Sequence, residues 1–226
     1  MVARVTMVRM NFSSRRHGAG LWSVAFAFLA VLAFSTVPTP LYAIYQDRDG
    51  FSTFTITVIF AAYAVGVVLA LFLAGHISDW LGRKRTLLPA LALSVLSAVL
   101  FIAWRDLTGL IVARVINGLS VGIVTATATA YLAELHLGER PGTPLTRPQV
   151  LATTANLGGL GIGPIIAGTI AEAVDAPLTV PYVVFAVALA LAGVAVALAP
   201  ETVERPASRP AYRPQRGAVP PAARAG

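Results

Sequence analysis

Uncharged apolar runs alternate along this chain with short polar stretches, and the alternation predicts six membrane-spanning helices. The runs cover residues 21–37, 54–74, 87–103, about 107–132, 150–174 and 182–199. At ~1.5 Å of rise per residue, each is about long enough to cross a hydrocarbon core roughly 30 Å thick. Between the second and third runs lies GHISDWLGRKRTL, from Gly75 to Leu87, a polar hairpin with three consecutive cations, Arg83, Lys84 and Arg85. Short loops rich in Lys and Arg stay on the cytoplasmic side. Gly75 lets one helix end pack closely, and Gly82 can take the positive φ that reverses the chain. Pro38 and Pro40 are expected to end or kink the first helix, since each lacks an N–H and disfavours helix at the residue before it. Residues 46–50 then form the first outer loop. A cationic start before an apolar run can be a cleaved signal peptide, but this run is long and five more spans follow, so a retained helix is expected.

Composition places these helices in lipid. The chain of 226 residues is 57% hydrophobic and 12% charged, with a mean hydropathy of +0.76, against about 25% charged residues in soluble domains. The formal net charge of +7 does not indicate nucleic acid, because the cations sit in loops and tails, where they orient helices beside anionic lipid. With both termini inside, four cations lie at the N-terminus, three in the 2–3 loop, two (Arg140 and Arg147) in the 4–5 loop and five after residue 200. The outer loops hold Arg48 and Arg105, and Arg114 lies within a helix. Cytoplasmic N- and C-termini follow. The domain reading is a cytoplasmic tail at 1–19, a transmembrane bundle at 20–199 and a disordered cytoplasmic tail rich in Pro and Arg at 200–226. Zero cysteines exclude disulfides and thiolate metal sites. Nearly all the cations are Arg, beside much Ala, which suggests a bacterial cell membrane. His17, His76 and His136 lie at helix ends or loops, and HExxH is absent; no catalytic, cofactor or metal site is expected, and the chain does not read as an enzyme.

Arg114 is the most informative single residue. It sits roughly 10 Å in from the outer end of its helix, where a charge costs up to about 2.5–3.5 kcal/mol unless it faces protein or water. At 100° per residue, Asn117, Gly118, Thr125 and Thr129 fall within about 60° of it, a polar stripe suited to the wall of a buried cavity. The alternative is that Arg114 snorkels outward. Tyr63 and Asn156 are further candidates for contact with a substrate. Glu134 follows the stripe to the inner surface, where an exposed pair with Arg83 is worth no more than about 1 kcal/mol. The fifth run contains GGLGIGPIIAG, in which Gly159 and Gly163 form a GxxxG pair for close helix packing and Pro164 adds a kink.

These motifs carry a resemblance. Gly75, Asp79, Gly82, Arg83, Lys84 and Arg85 resemble the helix 2–3 loop of major facilitator superfamily transporters, G-x-x-x-D-x-x-G-R-[RK]-[RK]. RVINGLSVG resembles that family's helix-4 motif R-x-x-[QN]-G, with Asn117 where Gln is usual. Gly159, Gly163, Pro164 and Gly168 are similar to the helix-5 motif of its drug/proton antiporters, with Ala167 replacing one glycine, and Pro200-Glu201-Thr202 closes helix six as it often does in the family. The resemblance implies an all-α membrane protein, six helices forming one half of a twelve-helix fold. It implies a secondary transporter, with proton-coupled export of small molecules as the branch suggests. Arg114 and Asn117 would serve substrate or proton coupling, and Asp79, Arg83 and Glu134 would form a conformational latch. No acidic residue lies deep in a span, so a proton carrier must be a loop-proximal acid or lie in the other half. The expected partners are the bilayer, a small-molecule substrate, a proton, and either a second copy or a separate six-helix half. The alternative is a truncated or regulatory membrane subunit that transports nothing.

Overall fold

The computed structural model describes residues 2–74 and 78–203. Gly75 lies outside the described residues, as does most of the segment read as a C-terminal tail. Eight helices occur among them: α1 (Val2–Thr36), α2 (Pro38–Asp49), α3 (Thr53–Ala74), α4 (Ser78–Leu81), α5 (Arg83–Ala103), α6 (Leu107–Glu139), α7 (Thr146–Ala173) and α8 (Val180–Leu198). Six stretches are long and apolar enough to cross a membrane, the first being Arg15–Asp49, which joins α1 to α2.

The prolines interrupt the first span without ending it. Val37 keeps right-handed helical angles, φ −51° and ψ −44°, and α2 restarts with Pro38 in its first turn, where a missing N–H costs nothing. Residues 46–49 are therefore the last turn of α2 and not a loop. That helix ends at Gly50, whose φ of +67° lets its N–H reach the Gln46 carbonyl at 2.9 Å. The polar hairpin is also more helical than the sequence suggests, since it holds α4 and the first turn of α5. At the outer surface Asp106 caps α6, accepting from the Gly109 N–H at 2.8 Å and the Trp104 indole at 2.9 Å. Those two bonds, the backbone one first, hold its carboxyl below the usual carboxylate range.

Two small-residue seams bring helices into backbone contact. A Cβ on Gly118 of α6 would lie 3.0 Å from the Gly66 Cα of α3, and one on Gly122 would lie 2.6 Å from the Ala70 Cβ. On the other side Gly159 of α7 packs on α1, where a Cβ would lie 2.7 Å from the Leu29 carbonyl oxygen. Gly163 meets Ala33 and Thr36 in the same way, and Gly168 approaches Pro40. The GxxxG reading of α7 thus holds as helix packing. Between the seams an aromatic column, with Phe34 edge-on to Phe101 and Phe101 stacked on Tyr182, ties α1, α5 and α8 together. Large apolar side chains cover the outside, among them Phe54, Phe72, Ile165 and Leu191, as lipid or another helical unit requires.

Candidate functional site

Arg114 is only 1% exposed, so it does not snorkel. Its Nε donates to the Tyr42 hydroxyl and its Nη1 to the Ser35 carbonyl, both at 2.7 Å. The break at Val37 explains the second bond: carbonyls in the last turn of a helix lack intrahelical partners, and α1 offers Ser35 O to the guanidinium. Four rings surround that guanidinium, with centroids at 5.3 Å (Tyr42), 5.8 Å (Phe60 and Tyr63) and 6.0 Å (Phe101). Cation–π attraction and two charge-assisted bonds therefore stand in for a carboxylate. Asn117, one turn further along α6, is likewise 1% exposed. Neither of its amide atoms, nor Arg114 Nη2, has a hydrogen-bond partner among the described residues.

The stripe of α6 does not line one open cavity, as its spacing suggests. Its outer part is enclosed by aromatic rings, and Gly118 is a helix contact. Only its inner part opens. There an open groove of about 310 Å³ is lined by Phe28 of α1, Thr129 of α6 and Gln149, Ala152, Thr153, Asn156 and Leu157 of α7, with Thr129, Gln149, Thr153 and Leu157 exposed. Tyr63 stands over Arg114, away from this groove.

At the inner surface Asp79, Arg83 and Glu134 come together. Arg83, in the first turn of α5, donates through Nη1 to Asp79 at 2.5 Å and to Ser78 at 2.7 Å. Through Nε and Nη2 it grips one oxygen of Glu134, at 3.0 and 2.7 Å. Its side chain is 10% exposed, against 32% for Glu134 and 63% for Asp79, so the Glu134 contact is stronger than the surface pair the sequence suggests. Lys84 Nζ donates to the Ala197 and Ala199 carbonyls at 3.1 and 3.0 Å, capping the C-terminal end of α8. Arg85 is exposed and makes no ion pair among the described residues.

Glu201 belongs to this cluster and was not legible as a member. Its carboxylate accepts the Arg83 N–H at 2.9 Å, Thr202 donates to Glu134, and the Tyr131 hydroxyl donates to the Pro200 carbonyl at 2.6 Å. Gly82 makes room for it: φ is +109°, and a Cβ would lie 2.6 Å from Glu201 Oε2. The available signal was an acid directly after the last apolar run. A second cluster lies at the inner ends of α1, α6 and α7, where Arg147 donates to Glu139 at 3.0 Å. There the buried His136 ring faces Thr143 at 3.0 Å, and the His17 ring lies against Gly138. No group of three metal-ligating side chains occurs among the described residues.

A sequence profile of the Major Facilitator Superfamily matches residues 18–224. The chain is 29% identical over 89 residues to an arabinose-proton symporter of Bacillus subtilis, covering 39% of this chain and 19% of the relative. It is 26% identical over 152 residues to an uncharacterized MFS-type transporter of Methanocaldococcus jannaschii, 67% of this chain and 38% of the relative. It is also 32% identical over 75 residues to myo-inositol transporter 2 of Schizosaccharomyces pombe, 33% of this chain and 14% of the relative. The matches span under two fifths of each relative's length. Neither relative with a named substrate is a drug antiporter, and one is by name a symporter, so the antiporter branch expected from the α7 glycines gains no support. The organisms span bacteria, an archaeon and a yeast, and do not narrow the source.

Proposed function

Because the chain belongs to the major facilitator superfamily, we propose that it supplies one six-helix half of a secondary active transporter, completed by a second six-helix unit. The observation that carries this reading is the Arg83 cluster. It joins α4, α5, α6 and the segment after α8 at one surface, where a few ion pairs can hold or release a bundle end. In this reading Arg83, Asp79, Glu134 and Glu201 are the latch, and Gly82 and Lys84 position it. Arg114 and Asn117 form the enclosed polar centre through which solute or proton binding is felt. The relatives' names favour proton symport of small solutes over export. The glycines that suggested export have a sufficient role in seating α7 on α1. No acid lies within the described spans away from their ends, so the proton carrier is placed in the second unit or at the inner surface.

The test is native mass spectrometry of the chain extracted gently from its host, followed by uptake by the same assembly in proteoliposomes under a pH gradient. A complex of two six-helix units whose uptake is abolished by Arg114→Ala is expected. A lone monomer without uptake would leave the non-transporting reading in its place.

A further inference from the structure

We propose that Arg114 is the bracket of a hinge in the first span, holding α2 at one angle to α1 until the bracket is released. The device lies within this chain and needs neither a substrate nor a second unit, so it stands or falls apart from the transporter reading.

The hinge begins in the backbone. Pro38 and Pro40 lack the amides that a continuous helix would send to the Phe34 and Thr36 carbonyls. The Val37 N–H turns instead to the Phe34 carbonyl, at 3.1 Å, in a tighter turn. The two sides of this break are not held alike. On the α1 side Thr36 Oγ1 donates to the Ala33 carbonyl at 2.9 Å and reaches the Leu160 carbonyl of α7 at 3.4 Å, and Gly163 of α7 packs on Ala33. On the α2 side Pro38, Leu41 and Tyr45 are buried, but the Tyr45 hydroxyl has no hydrogen-bond partner among the described residues. At the far end of α2, Arg48 Nη2 reaches the Arg105 carbonyl at a long 3.4 Å.

One guanidinium spans the break. Arg114 Nη1 holds the Ser35 carbonyl, before Val37, and Nε holds the Tyr42 hydroxyl, beyond it, both at 2.7 Å. At ~1.5 Å of rise per residue, a tilt of α2 by about 20° about Val37 carries Tyr42 roughly 2.5 Å and Asp49 roughly 6 Å. The smaller of these displacements already takes the Tyr42 hydroxyl out of hydrogen-bonding range. The angle between α1 and α2 therefore cannot open with both Arg114 bonds intact. The closed arrangement is nevertheless poised, because Arg114 Nη2 and both amide atoms of Asn117 are buried without a partner among the described residues. Water admitted by opening would satisfy all three, so their hydration pulls against the two bonds that keep the hinge closed.

The chain has no cysteine, so thiol labelling of the full purified chain in detergent can read the hinge. One reporter is placed on α2, Leu41→Cys, and one on α8, Val196→Cys, both at fully buried positions. Tyr42→Phe keeps the ring and removes the acceptor; it should speed labelling at Leu41→Cys about tenfold and at Val196→Cys by clearly less. Asn117→Leu removes an amide whose hydration favours opening, and should slow labelling at Leu41→Cys about fivefold. Pro38→Ala and Pro40→Ala together restore the missing amides and should shrink the Tyr42→Phe effect to under about twofold. Unchanged labelling at Leu41→Cys in Tyr42→Phe, or equal acceleration at both reporters, would overturn the hinge. So would labelling that is unchanged or faster in Asn117→Leu, or a Tyr42→Phe effect that keeps its full size when both prolines are replaced.

Discussion

Replacing Glu134 with Gln preserves the shape of the side chain and one acceptor oxygen while removing the charge that Arg83 grips. Two guanidinium N–H groups meet one Glu134 oxygen at 3.0 and 2.7 Å. Hydrogen bonds to charged groups are worth about 1.5–3 kcal/mol net. Glu134 is about a third exposed, and neutral acceptance by the amide survives, so the expected loss is near the lower figure, about 1.5 kcal/mol. That corresponds to roughly tenfold in an opening equilibrium. Asp79 is 63% exposed, and Asp79→Asn should cost less than about 1 kcal/mol, a factor of at most about five. The chain has no cysteine, so a single reporter gives a clean signal. Val196→Cys suits this purpose, because Val196 is fully buried in α8 beside the end that Lys84 caps. Thiol labelling of this reporter, in the regime where it reports local opening, should accelerate about tenfold with Glu134→Gln and by a smaller factor with Asp79→Asn. Unchanged labelling in Glu134→Gln, or a larger effect from Asp79→Asn, would refute the assignment of Glu134 as the main anchor.

Tyr42→Phe removes the acceptor of Arg114 Nε and leaves a buried charged donor unpaired, so a loss of about 1–3 kcal/mol in thermal stability in detergent is expected; an unchanged melting point would mean that the guanidinium is held otherwise. The glycines of α7 should divide by face. Gly163→Ala forces α7 off α1 and lowers stability, while Gly158→Ala, with nothing within 4 Å of its Cβ position, should be neutral or stabilising by up to about 1 kcal/mol, both read by thermal unfolding. The Asp106 cap is stronger for the ionised carboxylate, whose pKa is lowered. Its contribution is fully present above the unfolded value near 3.9 and is lost as pH falls through the lower folded value. The protection of the Gly109 amide against hydrogen exchange, taken relative to the intrinsic rate at each pH, should therefore fall in acid, and Asp106→Asn should remove most of that dependence.

The six spans and the family were legible in the chain itself, because lipid demands about twenty apolar residues per crossing and the family's motifs are short and contiguous. Arg114 as a buried cation, the pair of Arg83 with Glu134 and Asp79, and the GxxxG face of α7 were legible too, since each rests on helical spacing or on a short motif. What the proline-broken first span does was not. Proline chemistry announces a break, but only the packing of α1 on α6 shows that the break presents the Ser35 carbonyl to Arg114. Glu201 was hidden for a similar reason: it lies far along the chain from Arg83, and chain reversal at the ends of α8 and α4 brings them together. The split of the α6 stripe into an enclosed outer part and an open inner part also lay beyond periodicity, which tells which residues share a face and not what covers it. Sequence determined which segments are long and apolar enough to enter the membrane; tertiary structure decided which polar groups meet, because burial and hydrogen bonding inside the bundle depend on contacts between helices far apart in the chain.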